Sequence, residues 1–225
     1  MRSFYLKALF ILSAFGLLAG CANQQQPYDY TAFRESKPAS IVILPPVNKS
    51  PDVKATYSVL SQLTYPLAEA GYYVLPVALV DETFKENGLL TPDEMQAAPP
   101  AKLREIFGAD AAMYVEVSRY GSTYAIISSE TVVTASAKLV DLRSGKLLWQ
   151  GAASASTAEQ QQNSGGGLIG LLITAAINQI ANSISDKGHE IAGITSLRLL
   201  SAGRPNGILV GPHSPSYGHE PIAGR

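Results

Sequence analysis

Cysteine and charged residues, including the basic ones, are scarce in this chain of 225 residues. A single cysteine excludes an intramolecular disulfide and any metal site built on several thiolates. Charged residues make up 16% of the chain and the formal net charge is −1, which argues against the basic footprint of a nucleic-acid-binding protein. We therefore predict no nucleic-acid partner, and the overall charge indicates no other class of partner.

Catalytic and metal-binding patterns are also missing. The three histidines, His189, His213 and His219, lack the spacing of a metal site. The chain has no Gly-x-Ser-x-Gly nucleophile motif and no P-loop, and the glycines of 165–170 have the wrong spacing for a dinucleotide-binding loop. We predict that the chain is not an enzyme and that it holds no metal and no cofactor.

The N-terminus carries the clearest positive pattern. Arg2 and Lys7 accompany an apolar run, 8–19, which has the length of a signal-peptide core and is too short to span a bilayer comfortably. The run ends in Leu18-Ala19-Gly20-Cys21, which resembles the lipobox of bacterial lipoproteins. The resemblance implies that residues 1–20 are a signal peptide and that Cys21 is acylated on its sulfur and on its new amine. The alternative is an ordinary signal peptide followed by an incidental cysteine.

Lipidation at Cys21 would determine where the protein resides. Each buried methylene group contributes about 0.8 kcal/mol, so two or three acyl chains make a stable membrane anchor. Ala22 stands where the inner-membrane retention signal of such lipoproteins has Asp. By this resemblance we predict an outer-membrane protein that faces the periplasm and contacts the membrane through its lipid anchor.

Composition divides the remaining chain into three parts. Residues 21–37 are polar and are predicted to be a lipidated tether. Residues 38–202 combine apolar runs with turn signals and are predicted to form a single α/β domain. Residues 203–225 are rich in glycine, proline and histidine and are predicted to be a disordered tail.

The predicted domain begins with a βαβ pattern. Ile41–Leu44 is an apolar, mostly β-branched run closed by two prolines, which fits a buried strand. A helix over about 53–70 follows, and Pro66 is predicted to kink or divide it. Residues 72–77 fit a second strand, which would pair in parallel with the first.

A helix start and a hairpin follow in the sequence. Thr91-Pro92-Asp93-Glu94 is typical of a helix N-terminus. Apolar and polar residues alternate with a period of two over 113–119 and 131–141, which predicts strands with one solvent-exposed face. A turn signal then leads into a returning strand from Leu147, in which Trp149 is either a core anchor or a ligand platform.

The end of the domain is predicted to be a flexible connection at 154–167 and a helix over 186–200. The predicted fold class is therefore α/β (α+β). It comprises a mixed sheet with a βαβ start, a C-terminal β-hairpin and helices packed on the sheet.

Two features indicate contact with partners. The stretch 168–184 is the most apolar part of the mature chain but falls short of the about twenty apolar residues of a membrane span. It is either a helix buried on the sheet or a surface that docks on a membrane or another subunit. Tyrosine is frequent and is enriched at interfaces, although half-buried sheet positions explain it equally well. The candidate contact residues are Tyr72, Tyr73, Tyr120, Tyr124, Leu168, Leu171 and Leu172.

A family resemblance rests on the lipobox and four segments, "IVILPPVNKS", "LAEAGYYVLPVALVDETFKENGL", "FGADAAMYVEVSRYGSTY" and "KLVDLRSGKLLWQG". Together they resemble a family of bacterial lipoproteins of unknown function that includes a genome-derived vaccine-antigen candidate. The family is similar in fold to the N-terminal α/β domain of TolB. It is more distantly similar to the curli-secretion lipoprotein CsgG and to lipoprotein activators of peptidoglycan synthases. The resemblance implies an accessory role in the envelope and brings no catalytic residues.

We therefore expect a lipid-anchored protein that binds an envelope protein in a secretion, transport or cell-wall assembly complex. The alternative is a subunit of an oligomeric outer-membrane secretion channel similar to CsgG. In that case 168–184 would contact lipid or neighbouring copies, and the chain would form a homo-oligomer.

Overall fold

A mixed six-stranded sheet organises the protein. The computed structural model describes residues 28–124, 129–162 and 186–219. The strands are β1 (Ser40–Ile43), β2 (Val47–Asn48), β3 (Tyr73–Val74), β4 (Ala111–Tyr124), β5 (Ser129–Asp141) and β6 (Leu147–Ser156). The helices are α1 (Thr31–Ser36), α2 (Ala55–Glu69), α3 (Val77–Glu86), α4 (Pro92–Gln96), α5 (Pro100–Phe107), α6 (Thr157–Gln162) and α7 (Lys187–Leu200). The spatial order is β3-β1-β4-β5-β6, and β2 pairs with β4.

The parallel start of the sheet follows the predicted βαβ pattern. β1 pairs in parallel with β3, and α2 connects the two strands. β1 also pairs in parallel with β4, which makes it an interior strand and explains the complete burial of its β-branched residues. α2 runs through Pro66 to Glu69, so this proline does not divide the helix. β3 is shorter than predicted because Pro76 already caps α3.

Helices cover the two faces of the sheet unequally. α2 and α7 pack on one face, where the main core joins Leu63 and Ile191 to Trp149. On the other face α3, α4 and α5 enclose a smaller core around Phe84 and Leu103, against β1 and the start of β4. The predicted fold class, a mixed sheet with helices packed on it, is confirmed.

The antiparallel part of the sheet is a β4-β5-β6 meander. Val115 and Val117 of β4 are buried and Glu116 between them is exposed, as the period-two pattern predicted. The hairpin that returns at Leu147 is also present, and Trp149 is a core residue that is 1% exposed. Its strand continues to Ser156 and α6 follows, so 154–162 is regular structure where a flexible connection was predicted.

The chain after α7 differs from the predicted disordered tail at 203–225. We call residues 203–219 the C-terminal segment. Its Ile208 is 1% exposed, and its Gly211 N–H donates to Ala70 O at 2.7 Å. The Trp149 indole N–H donates to Asn206 O at 3.0 Å. The composition predicts disorder because apolar residues are few, but here the backbone polar groups find partners on the domain.

The chain before β1 also belongs to the domain, although 21–37 was predicted to be a tether. Phe33 of α1 is 4% exposed and lies in the main core. The ring centroids of Tyr28 and Tyr30 are 5.0 Å apart, and those of Tyr30 and Phe33 are 6.4 Å apart. The Tyr30 hydroxyl donates to Gly207 O of the C-terminal segment. These ring contacts and the hydrogen bond hold this part of the chain on the domain.

Two carboxylates connect turns at one end of the sheet. Asp110 directly precedes β4, and Asp141 is the last residue of β5. Asp110 accepts hydrogen bonds from the backbone N–H groups of Ala39 and Ser40, and Arg143 Nη2 lies 2.6 Å from its Oδ1. Burial alone would raise the pKa of Asp110, but these hydrogen bonds and the Arg143 charge outweigh burial and hold that pKa below its usual value. Burial is likewise outweighed at Asp141, whose pKa is lowered by hydrogen bonds from Ser36, Ser144 and Arg143.

Gly71 tests the packing of the C-terminal segment. Its φ is +92°, and a Cβ built there would lie 2.4 Å from Ser214 N. Gly88 is a matched control, because its φ is +81° and no described atom lies within 4 Å of a Cβ built there. Gly88→Ala should reduce the free energy of unfolding by about 1–2 kcal/mol through backbone strain. Gly71→Ala should cost at least about 1 kcal/mol more, because it also displaces the segment.

Urea unfolding followed by circular dichroism measures both losses. Equal losses for the two variants would contradict the close packing of the segment on Gly71.

Asp110 should make the fold sensitive to acid. Since its folded-state pKa lies below the unfolded value of about 3.9, the ionised carboxylate stabilises the fold above about pH 4. That contribution is lost as the pH falls through the folded-state pKa. Asp110→Asn should reduce the free energy of unfolding at pH 7 by about 1–2 kcal/mol, and the difference from wild type should shrink below pH 4.

The control is Asp93→Asn, which removes an exposed ion pair with Lys49 and should cost less than about 1 kcal/mol. Urea titrations at several pH values between 3 and 7 give the comparison. A difference between Asp110→Asn and wild type that is independent of pH would show that the charge of Asp110 is not what stabilises the turns.

Candidate partner-binding surface

Two of the predicted contact residues lie in the core. Tyr72 is 4% exposed and its hydroxyl donates to Leu209 O at 2.6 Å. Tyr120 is 6% exposed and its hydroxyl donates to Ser58 Oγ at 2.7 Å. Their assignment to a partner-binding surface is therefore wrong, because both side chains already fill space inside the fold.

A β-bulge explains why Tyr120 points inward. The register between β4 and β5 shifts between Val117 and Arg119. Strict alternation from the buried Val117 would bury Arg119 and expose Tyr120, whereas the structure exposes Arg119 and buries Tyr120. The charge of Arg119, at a position that alternation would bury, is the sequence signal that could have predicted the bulge.

The other predicted residues, apart from Tyr73, lie outside what the structure describes. Leu168, Leu171 and Leu172 fall between the described ranges, and Cys21 precedes the first of them. β4 includes the backbone of Tyr124, but its side chain is outside the described set. The roles of these residues stay predictions.

Tyr73 is exposed and lines a groove at one edge of the sheet. Its side chain is 60% exposed, and that of Leu79 on α3 is 66% exposed. Between them is a groove of about 480 Å³ that β3, α3 and the end of α5 enclose. Its lining residues are Ser40, Tyr73, Leu75, Pro76, Leu79, Val80, Thr83, Phe107 and Gly108. We call this the edge groove.

The local sequence explains how the edge groove forms. Tyr73 and Leu75 donate their backbone N–H groups to Ala39 O and Ile41 O at the start of β1, and the Val74 backbone between them faces the open edge of the sheet. α3 begins directly after Pro76 and directs Val80 and Phe84 inward, so Leu79 stays outside. Gly108 adopts φ +66° and ends α5, which leaves the groove open beside Phe107.

The edge groove is apolar and carries no charge among its described lining residues. Ser40, Thr83 and Tyr73 supply hydroxyl groups, and the remaining lining is aliphatic, aromatic or glycine. Such a groove suits apolar side chains, while the backbone of an edge strand can pair with an extended peptide. Sequence reasoning missed Leu79 and Phe107. A signal for Leu79 was available, since it lies off the apolar stripe that Val80 and Phe84 form.

A second cluster of polar groups joins α2 to α7. Ser58 Oγ lies 3.0 Å from His189 Nδ1, and Gln62 Nε2 lies 2.7 Å from His189 Nε2. Burial raises the pKa of Tyr120, and the hydrogen bond to Ser58 opposes this shift. The neutral groups at the two ring nitrogens of His189 are the Ser58 hydroxyl and the Gln62 amide. These contacts fix the start of α7 on α2.

The described part of the chain has neither a cluster of metal ligands nor a membrane-spanning helix. It contains no group of three or more His, Cys, Asp or Glu side chains that could hold a metal ion. None of the described helices has the length and apolar character that crossing a membrane requires.

Comparison with known proteins gives a consistent assignment. The family described as "Putative lipoprotein GNA1162-like" matches residues 28–213. A protein of Neisseria meningitidis serogroup B, "Putative lipoprotein NMB1124/NMB1162", is 50% identical over 202 residues, which are 89% of this chain and 93% of that protein.

Solved structures extend the comparison. The crystal structure of lipoprotein GNA1162 from Neisseria meningitidis is 50% identical, covers 65% of this chain and all of that one, and has a TM-score of 0.53. The PelC dodecamer from Paraburkholderia phytofirmans is 13% identical over 73% of this chain and 88% of that chain, with a TM-score of 0.42, which is too low for a conclusion. The family match and the identity along nearly the whole chain confirm the resemblance seen in the sequence: the chain belongs to the GNA1162-like family of lipoproteins.

Proposed function

We propose that this protein is a lipid-anchored accessory protein of the bacterial envelope that binds a partner protein through the edge groove. The partner belongs to a secretion, transport or cell-wall assembly complex. The observation that carries the proposal is the exposure of Tyr73 and Leu79 on the two sides of an uncharged groove beside an edge strand. Apolar side chains gathered around a concave surface mark interaction sites.

The proposed mode of binding is addition of an extended segment of the partner along β3. The outward backbone of Val74 would supply hydrogen bonds, and the edge groove would receive apolar side chains on the α3 side. Tyr73 would contribute a large contact area with little loss of side-chain entropy. Specificity would come from the fit of alternate partner residues into the groove.

The proposed location is the outer membrane, with the domain in the periplasm. Support comes from the lipobox ending at Cys21, from Ala22 after it and from membership of a lipoprotein family. The acyl chains would hold the protein in the membrane, and the domain would act where the anchor places it.

We propose binding rather than catalysis as the activity of the domain. The Ser58–His189 pair is the described arrangement that most resembles a nucleophile with its base. The groups at the His189 ring nitrogens are the Ser58 hydroxyl and the Gln62 amide, whereas a catalytic triad has a carboxylate behind the histidine. This supports a structural role for the pair.

Site-directed photo-crosslinking in intact cells tests the proposal. A photoreactive amino acid replaces Tyr73, and the control is the same replacement at Tyr65 on α2, which is 61% exposed. We expect the Tyr73 position to crosslink to one envelope protein and the Tyr65 position not to. Adding Leu79→Glu should abolish that crosslink, while the free energy of unfolding changes by less than about 1 kcal/mol because Leu79 is exposed.

Two outcomes would contradict the proposed partner binding. Equal crosslinking from both positions would mean that the edge groove is not selective. Crosslinks only between copies of this chain would favour the alternative predicted from the sequence, a subunit of an oligomeric channel.

A further inference from the structure

The lipid anchor and the folded domain are separated by a very short piece of chain. Tyr28 is the seventh residue after Cys21. Seven residues span at most about 25 Å when fully extended. The surface around Tyr28 is therefore held close to any membrane that contains the acyl chains of Cys21.

Tyr28 is fixed on the domain and does not prolong the tether. Its backbone N–H donates to Asn206 Oδ1 at 2.9 Å. Burial raises the pKa of its phenol, and a hydrogen bond with the Gln150 backbone opposes that shift. The position from which the anchor leaves the domain is thus defined by contacts with β6 and the C-terminal segment.

Basic side chains surround this position. Arg204 is exposed and lines the same recess as Tyr28. Arg34 and Lys37, both exposed, line the adjoining recess together with Tyr217, which is 40% exposed. The C-terminal segment connects the two recesses, because Asn206 bonds Tyr28 and Leu209 bonds Tyr72. Among the described residues, none forms an ion pair with Arg34, Lys37 or Arg204.

Acidic groups nearby leave this surface with an excess of positive charge. Glu35 is engaged by Lys146 at 3.4 Å, and Glu159 is engaged by Arg198 at 2.6 Å. Asp29 is the exposed carboxylate next to Tyr28, and it accepts hydrogen bonds from Thr31. The described lining of the two recesses therefore includes Arg34, Lys37, Arg198 and Arg204 and no acidic residue, on the part of the domain that the anchor brings nearest to lipid.

We propose that this surface, formed by Arg34, Lys37, Arg204 and Tyr217, docks on the phospholipid headgroups of the membrane that holds Cys21. Arginine and lysine bind anionic headgroups, and tyrosine is favoured at the membrane interface. Docking would give the domain one orientation on the bilayer instead of free rotation about its tether. The inference rests on the lipid anchor of the proposed function and does not depend on the edge groove.

Quenching by nitroxide-headgroup lipids tests the proposed orientation. Acylation blocks Cys21, the chain's own cysteine, so an introduced cysteine can be labelled selectively. The lipidated full-length protein carries a fluorophore at Ser216→Cys, which is exposed beside Tyr217, or for comparison at Val53→Cys. Val53 is 87% exposed and follows β2. The chain from the start of β1 to the end of β2 is about 25 Å long, so Val53 lies far from the proposed surface. Both are reconstituted in vesicles of equimolar phosphatidylcholine and phosphatidylglycerol.

We expect several-fold stronger quenching at Ser216→Cys than at Val53→Cys, and weaker quenching at Ser216→Cys in vesicles of phosphatidylcholine alone. The triple charge reversal Arg34→Glu, Lys37→Glu and Arg204→Glu should reduce quenching at Ser216→Cys several-fold. The matched control is Lys49→Glu, Lys54→Glu and Lys102→Glu, which reverses three exposed lysines elsewhere and should leave quenching unchanged. Circular dichroism confirms that each variant is folded.

The possible failures are distinguishable. Equal quenching at the two labelled positions, or quenching that ignores the charge reversal, would overturn the docking surface while leaving the anchor intact. A protein that lacks acyl groups on Cys21 by mass spectrometry, and does not sediment with the vesicles, would overturn the anchor itself.

Discussion

The packing of the first and last described segments, 28–39 and 203–219, on the domain is the constraint on which the rest of the structure depends. Trp149 is central to it, because its buried ring lies in the main core while its indole N–H holds Asn206 of the C-terminal segment. A Cβ at Gly151 would lie 2.5 Å from that ring, so glycine is needed beside it. The same segment holds Tyr28 and Tyr30 on the N-terminal side.

This arrangement relates the anchor to the proposed binding site. Ser40 and Tyr73, which line the edge groove, are the first residues of β1 and β3. In the recess that Arg34 and Lys37 line, Tyr72 directly precedes β3 and Lys37 lies three residues before β1. The edge groove and the proposed membrane-docking surface therefore lie at the same end of the sheet. On this account a partner would be bound close to the bilayer, because the short tether keeps the domain near the membrane.

The sequence predicted those parts of the fold that depend on local patterns. The βαβ start, the Thr91 capping box and the wet face of β4 and β5 each follow from residue periodicity or side-chain capping within a few positions. The errors concern long-range contacts. The segment 203–219 has few apolar residues, and its order comes from backbone bonds to Ala70 and Gly71, far away in the sequence. Tyr120 was misplaced because one bulge reverses the alternation of β4. The edge groove needs three separate elements to meet, which periodicity does not reveal.

Hydrogen–deuterium exchange on the intact protein tests the central claim, that the segments 28–39 and 203–219 are fixed on the domain. The account predicts slow exchange of the Gly211 and His213 amides, which donate to Ala70 O and Gly71 O at 2.7 and 3.1 Å, and of the Tyr28 amide. Their protection should approach that of the β1 amides, because all depend on the same core. Exchange of these amides at the rate of an unstructured peptide would contradict the account.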